Sequence, residues 1–152
     1  MVIFGVVMVD TKIISAFPGT GKSYFHQNTG LQTLDSDSST YSWVSKGVRN
    51  PDFPNNYISH IRDNIGSADV ILVSSHKEVR DALVNGDIHY TLAYPDRSLK
   101  DEYVERFRQR GSPDTFVELV STNWDNWISE LEAQKSCDHI RLSKGQYLSD
   151  VL

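Results

Sequence analysis

Eight residues constrain this chain more than any others. Between the apolar run Lys12–Ala16 and a helix-forming stretch that starts at Lys22 stands Ala16-Phe17-Pro18-Gly19-Thr20-Gly21-Lys22-Ser23. Gly19 and Gly21 allow a backbone curl closed to other residues, so that successive N–H groups turn towards one point. The helix that follows adds the partly positive end of its dipole there, and Lys22 adds a full charge. Such a turn suits phosphate oxygens, and Ser23 offers a hydroxyl to an accompanying divalent cation. The residues fit the pattern G-x-x-x-x-G-K-[ST] except that Ala16 holds the place of the first glycine, at a strand end where a methyl group is tolerable. The alternative for these residues is a Gly-rich turn of purely structural use.

The pattern is meaningful only between a strand and a helix, and the rest of the chain supplies that setting. Short β-branched runs alternate with amphipathic stretches, the mark of a parallel sheet covered by helices. Lys12–Ala16, Leu31–Asp35, Val70–Ser74, His89–Ala93 and Ile140–Leu142 read as five strands. A helix from Lys22 to Asn28 stops at Gly30. Pro54 opens a second, with Ile58, Ile61 and Ile65 on one face and Gly66 as its stop. Ser75 is expected to cap a third, burying Val79, Ala82 and Leu83 before Gly86. Ser98 caps a fourth that runs to Arg110, ended by Gly111. The longest has Ser112 as N-cap and the stripe Phe116, Val120, Trp124, Trp127 and Leu131, with both tryptophans read as core; Tyr147–Leu152 closes the chain as a short helix. In such α/β domains ligands bind at the carboxyl ends of the strands.

Composition narrows the classes further. The 152 residues suit one domain, since domains run to roughly 100–200 residues. The net charge of −5 argues against a general duplex-DNA binder, which needs surplus Lys and Arg, but not against a small anion held by local cations. Cys137 is the only cysteine, which excludes an intrachain disulfide and fits a reducing compartment. The five histidines lack zinc-site spacing, and His60 and His89 read as structural or exposed. The apolar opening, residues 1–8, is too short to span a membrane and lacks the basic start of a signal peptide. Residues 1–10 are expected to be an extension, a tag remnant or a stretch upstream of a start at Met8, with an extra edge strand as the alternative.

In its order of elements over residues 11–152, and at motif level in Phe17–Ser23, Asp35-Ser36-Asp37 and Arg106-Phe107-Arg108-Gln109-Arg110-Gly111, the chain resembles the P-loop nucleoside and nucleotide kinases. These include adenylate, thymidylate and shikimate kinases and small kinase-like proteins often carried by phages. The resemblance implies a three-layer P-loop NTPase fold: a parallel five-stranded sheet in the order 2-3-1-4-5 with helices on both faces, carrying a short acceptor segment at about residues 36–56 and a short lid at about 106–114. It implies ATP and Mg²⁺ as cofactors and phosphoryl transfer to a small nucleotide, a (deoxy)nucleoside monophosphate. The alternatives are a hydroxyl acceptor (a nucleoside, a polynucleotide end or another small molecule) and a nucleotide-binding regulator without catalysis. It implies no membrane partner, allows a homodimer, and places the protein in the cytoplasm, that of the host if a phage encodes it.

Site roles follow residue by residue. Pro18, Gly19, Thr20, Gly21, Lys22, Ser23 and Tyr24 would hold the nucleotide phosphates, and Ser23 with Asp35 the metal. Asp35 or Asp37 would orient the acceptor or the metal, while the turn-rich Asp-Ser-Asp sequence also reads as a solvated turn. Arg106 and Arg110, four apart on one helix face, would clamp the transferring group as lid arginines, or simply pair with Glu102 and Glu105 at a solvated face. Trp43, Phe53, Asn55 and Arg80 would receive the acceptor, and Ser143-Lys144-Gly145 would wrap the adenine. One departure stands out: the third strand ends in Ser74-Ser75-His76 where an aspartate is usual. His76 there reads either as a catalytic group or as one that merely caps or packs near the helix start.

Overall fold

The computed structural model describes residues 2–3, 6–7, 10–36 and 39–152. Five parallel strands form the central sheet: β1 (Lys12–Ala16), β2 (Thr33–Asp35), β3 (Val70–Ser74), β4 (Thr91–Pro95) and β5 (Asp138–Leu142). They lie side by side as β2-β3-β1-β4-β5. Two short hairpins, Val2–Ile3 with Val6–Val7 and Trp43–Ser45 with Val48–Arg49, add strands that the sequence reading lacks. The expected order 2-3-1-4-5 counts only five strands in the chain; with the hairpin strands counted, the sheet takes the fourth, seventh, third, eighth and ninth strands of the described chain.

Helices cover both faces. α1 (Lys22–Asn28) and the closing turn α6 (Leu148–Val151) pack on one; α2 (Asn55–Asn64), α3 (Lys77–Asn85), α4 (Lys100–Gln109) and α5 (Asp114–Glu132) cover the other. The strands' period of two sorts side chains between two cores. Ile14, Ala16, Val70, Leu72 and Ala93 face Phe25 and Leu148, whereas Ile13, Ile71, Val73, Leu92 and Tyr94 face the larger set of helices. β3 is buried at every residue, as a central parallel strand covered on both sides must be.

Several boundaries differ from the sequence reading. β2 begins at Thr33 and β4 at Thr91, while β5 starts two residues earlier, at Asp138. Ser75 does not cap α3, whose N-cap is His76; Ser112 does not cap α5, whose N-cap is Pro113. Ser98 is not a cap either: the Asp96 side chain accepts from the Ser98 amide and hydroxyl at a 3₁₀ turn, Arg97–Leu99, that leads into α4. On α5 the buried residues are Val117, Val120, Trp124, Ile128 and Leu131, with Phe116 and Trp127 only partly buried. Ile65 lies beyond α2 and is exposed. Among the described residues no helix is long and apolar enough to cross a membrane. Of the expected extension over residues 1–10, residues 2–3, 6–7 and 10 are described, the first two pairs as antiparallel strands.

Candidate phosphate-binding site

β1 delivers the loop. Ala16 is fully buried at its end, in register with Ser74 and Ala93. Its methyl group belongs to the smaller core, among Ile14, Phe25, Leu72 and Leu148, so the residue in place of the first glycine packs inward. The Phe17 amide then donates to the Ala93 carbonyl at 2.9 Å, extending the ladder by one residue before the chain turns.

From that point the loop is held by its carbonyls. The Thr20 hydroxyl donates to the Phe17 carbonyl at 2.7 Å. Arg106 donates to the Gly19 carbonyl at 2.8 Å, the Leu148 amide to that of Thr20 at 2.9 Å, and the Phe25 amide to that of Gly21 at 2.9 Å. In a planar trans peptide the N–H of the next residue points the opposite way. Holding the carbonyls of Gly19, Thr20 and Gly21 against the framework therefore aims the amides of Thr20, Gly21 and Lys22 to the other side. Gly19 and Gly21 supply the curl, with φ of 82° and 91°. A Cβ on Gly19 would stand 2.9 Å from the Phe107 ring, and one on Gly21 would stand 3.0 Å from the Tyr147 ring.

A cavity of about 300 Å³ opens beside the loop, lined by Pro18, Lys22, Ser23, Asp35, Ser74 and His76 among others. Three segments distant in sequence thus meet at the carboxyl ends of β1, β2 and β3, where an α/β sheet places its ligands. Asp35 is fixed through its neighbour: Ser36 donates its amide to the Leu72 carbonyl at 2.9 Å, shares a 2.8 Å hydrogen bond with His60 Nε2, and accepts at its carbonyl from the Tyr57 hydroxyl at 2.6 Å. Asp37, expected beside it, lies outside the described residues. Among those residues no group of three or more His, Cys, Asp or Glu could hold a metal. One carboxylate with the Ser23 hydroxyl fits Mg²⁺ all the same, because that ion keeps several waters and takes one or two carboxylates together with substrate phosphates.

Arg106 is not a mobile arm. Its side chain, 10% exposed, is sandwiched between the rings of Tyr103 (4.3 Å) and Tyr147 (3.9 Å). It bonds Gly19, Glu102 at 3.0 Å and the Gln146 carbonyl at 3.1 Å. The same Glu102 accepts from the Gly145 amide, so one ion pair ties the loop at Gly19 to the Ser143–Gly145 turn. Burial pushes the Tyr103 hydroxyl up to about 12. Arg110 is exposed at the end of α4, over the Phe107 ring at 4.8 Å and bonded to Ser112. Tyr24, in the first turn of α1, is exposed.

The residues expected to seat the acceptor divide into two groups. Trp43 and Phe53 meet across Arg49, whose guanidinium lies 5.0 and 5.4 Å from their ring centres and pairs with Glu78 of α3. Asn55 is exposed at the start of α2. Arg80 lies elsewhere, buried in α3 and bonded to the Ser75 carbonyl, Gln134 and Glu130 at 2.7–2.8 Å. Arg49, Glu102 and Tyr147 carry no motif of their own. Only the rings flanking Arg49 in sequence, or the glutamate four residues before Arg106, hint at their parts.

No family model matches the chain, and no curated protein matches it.

Proposed function

We propose that this protein is a phosphotransferase that moves the γ-phosphoryl group of a nucleoside triphosphate, with Mg²⁺, to a small nucleotide or hydroxyl acceptor. The observation that carries the reading is the loop after β1: its carbonyls are held to the framework, its amides face the other way, and Lys22, Ser23 and Asp35 line one cavity beside it. The amides and the start of α1 would grip the triphosphate, with Lys22 at its terminal phosphates. Ser23 and Asp35 would hold Mg²⁺, which when bound neutralises phosphate charge. The acceptor oxygen forms its bond to the γ-phosphorus as the bond to the bridging oxygen breaks, and that electron pair leaves on the diphosphate. For a hydroxyl acceptor, Asp35 would take the proton instead of serving the metal, which Ser23 and waters would then hold. The parallel five-stranded sheet and the helices on both faces support a P-loop NTPase fold.

The end of β3 favours one other reading. Ser74 and His76, and no carboxylate from β3, line the cavity there, which suits a nucleotide-binding regulator without turnover. Release of ADP or GDP, measured with Mg-ATP and Mg-GTP against a panel of nucleosides and monophosphates, separates the two. Turnover that falls at least about 100-fold in Lys22→Ala is expected. Mg-ATP binding without transfer to any acceptor supports the regulator instead, and no binding at all removes both.

A further inference from the structure

We propose that the acceptor's seat is a second cavity beside the phosphate loop, and that it takes an uncharged alcohol built on a flat ring, a nucleoside rather than a nucleoside monophosphate. This rests on the phosphotransferase reading. The cavity, about 400 Å³, lies between the loop, the start of α3 and one face of α5, with walls of Phe17, Phe116, Trp127 and Leu131. Its size falls in the small-ligand range of about 300–1,000 Å³, and its aromatic walls suit a flat ring. Pro18, Ser75 and His76 line both this cavity and the one holding Lys22 and Ser23, so an occupant here presents one end to the loop. It also gives Phe116 and Trp127, partly buried beside a filled core, a surface to cover.

Charge selects the class. Two strong cations line the cavity, and both are paired with carboxylates: Arg80, buried, with Glu130 at 2.7 Å, and Lys77, itself exposed and so weakly held, with Asp81 at 2.6 Å. Arg80 is further fixed by Gln134 and the Ser75 carbonyl, and is 4% exposed. A monophosphate would have to draw a cation from its partner while bringing ~2 negative charges to a wall that includes Glu130. A neutral ring meets neither obstacle, and the Glu130 carboxylate can accept from a ring N–H. The seat differs from the Trp43, Phe53 and Asn55 region that the sequence suggests, and Arg80 enters it as a neutralised wall.

Titration calorimetry of the intact protein with thymidine, adenosine, their 5′-monophosphates and Mg-ATP tests this. At least one nucleoside should bind tenfold or more tightly than its own monophosphate. Leu119→Glu, at an exposed lining position, should weaken that nucleoside at least tenfold. Glu130→Gln should narrow the preference by releasing Arg80. A monophosphate that binds as tightly as its nucleoside, neither nucleoside binding, or nucleoside affinity indifferent to Leu119→Glu would each overturn the seat while Mg-ATP binding leaves the phosphotransferase reading standing. Failure of Mg-ATP to bind in the same titrations overturns that reading, and the acceptor role with it.

Discussion

At the scale of single residues, the two loop glycines are under the tightest restriction. Gly19→Ala meets both a positive φ and a ring 2.9 Å away, so a loss of about 1–3 kcal/mol is expected in urea unfolding. Gly30→Ala, which meets nothing within 4 Å and needs no positive φ, should stay within about 0.5 kcal/mol. Tyr103 makes a second residue-scale prediction. Its hydroxyl is raised by burial from 10.0 to about 12 in the folded protein, so the neutral form is favoured there. The stability this contributes is complete below pH 10 and is lost as pH rises towards 12. Tyr103→Phe should shrink the alkaline fall in melting temperature; the part that remains belongs in some measure to Tyr90, whose hydroxyl burial also raises.

Between elements, Arg106 is the brace. Removing it takes charged hydrogen bonds from two backbone carbonyls and leaves Glu102 without its guanidinium. Arg106→Ala should cost about 2 kcal/mol, and Arg106→Lys should recover little, because an ammonium lacks the planar fork that lies between Tyr103 and Tyr147. Denaturant midpoints of the two variants check this. β3 and all of β1 but Lys12 are buried, and they were legible because strands covered on both faces read as short, mainly apolar runs. β4 was legible only in part: Pro95 argues against a strand, yet it closes one at a position paired with Leu142. The face of α5 was half legible. Phe116 and Trp127 share the helical period with Val117 and Ile128, and periodicity cannot rank two adjacent apolar faces. Packing ranks them: Ile128→Ala should lose about 2–5 kcal/mol, far more than exposed Leu119→Ala. The loop was legible residue by residue, but its braces were not, since Arg106, Gln146 and Leu148 join it only through the fold.

Across the whole molecule, one sheet separates two cores, and each strand of its centre contributes to both. Neither core can empty without disturbing the other, so circular dichroism and tryptophan fluorescence should report one coincident unfolding transition. A ligand that grips the loop acts on that single transition: at 100 times its Kd it should add about 2.7 kcal/mol. Scanning calorimetry with Mg-ATP, repeated on Lys22→Ala, reads that increment and its loss. The Leu148 amide on the Thr20 carbonyl also bears on biosynthesis. Thr20 leaves the ribosome well before Leu148, its support, has been translated. A growing chain therefore holds this loop unfinished until residue 148 has emerged, and any ligand of the loop can select only among molecules whose later residues have already docked.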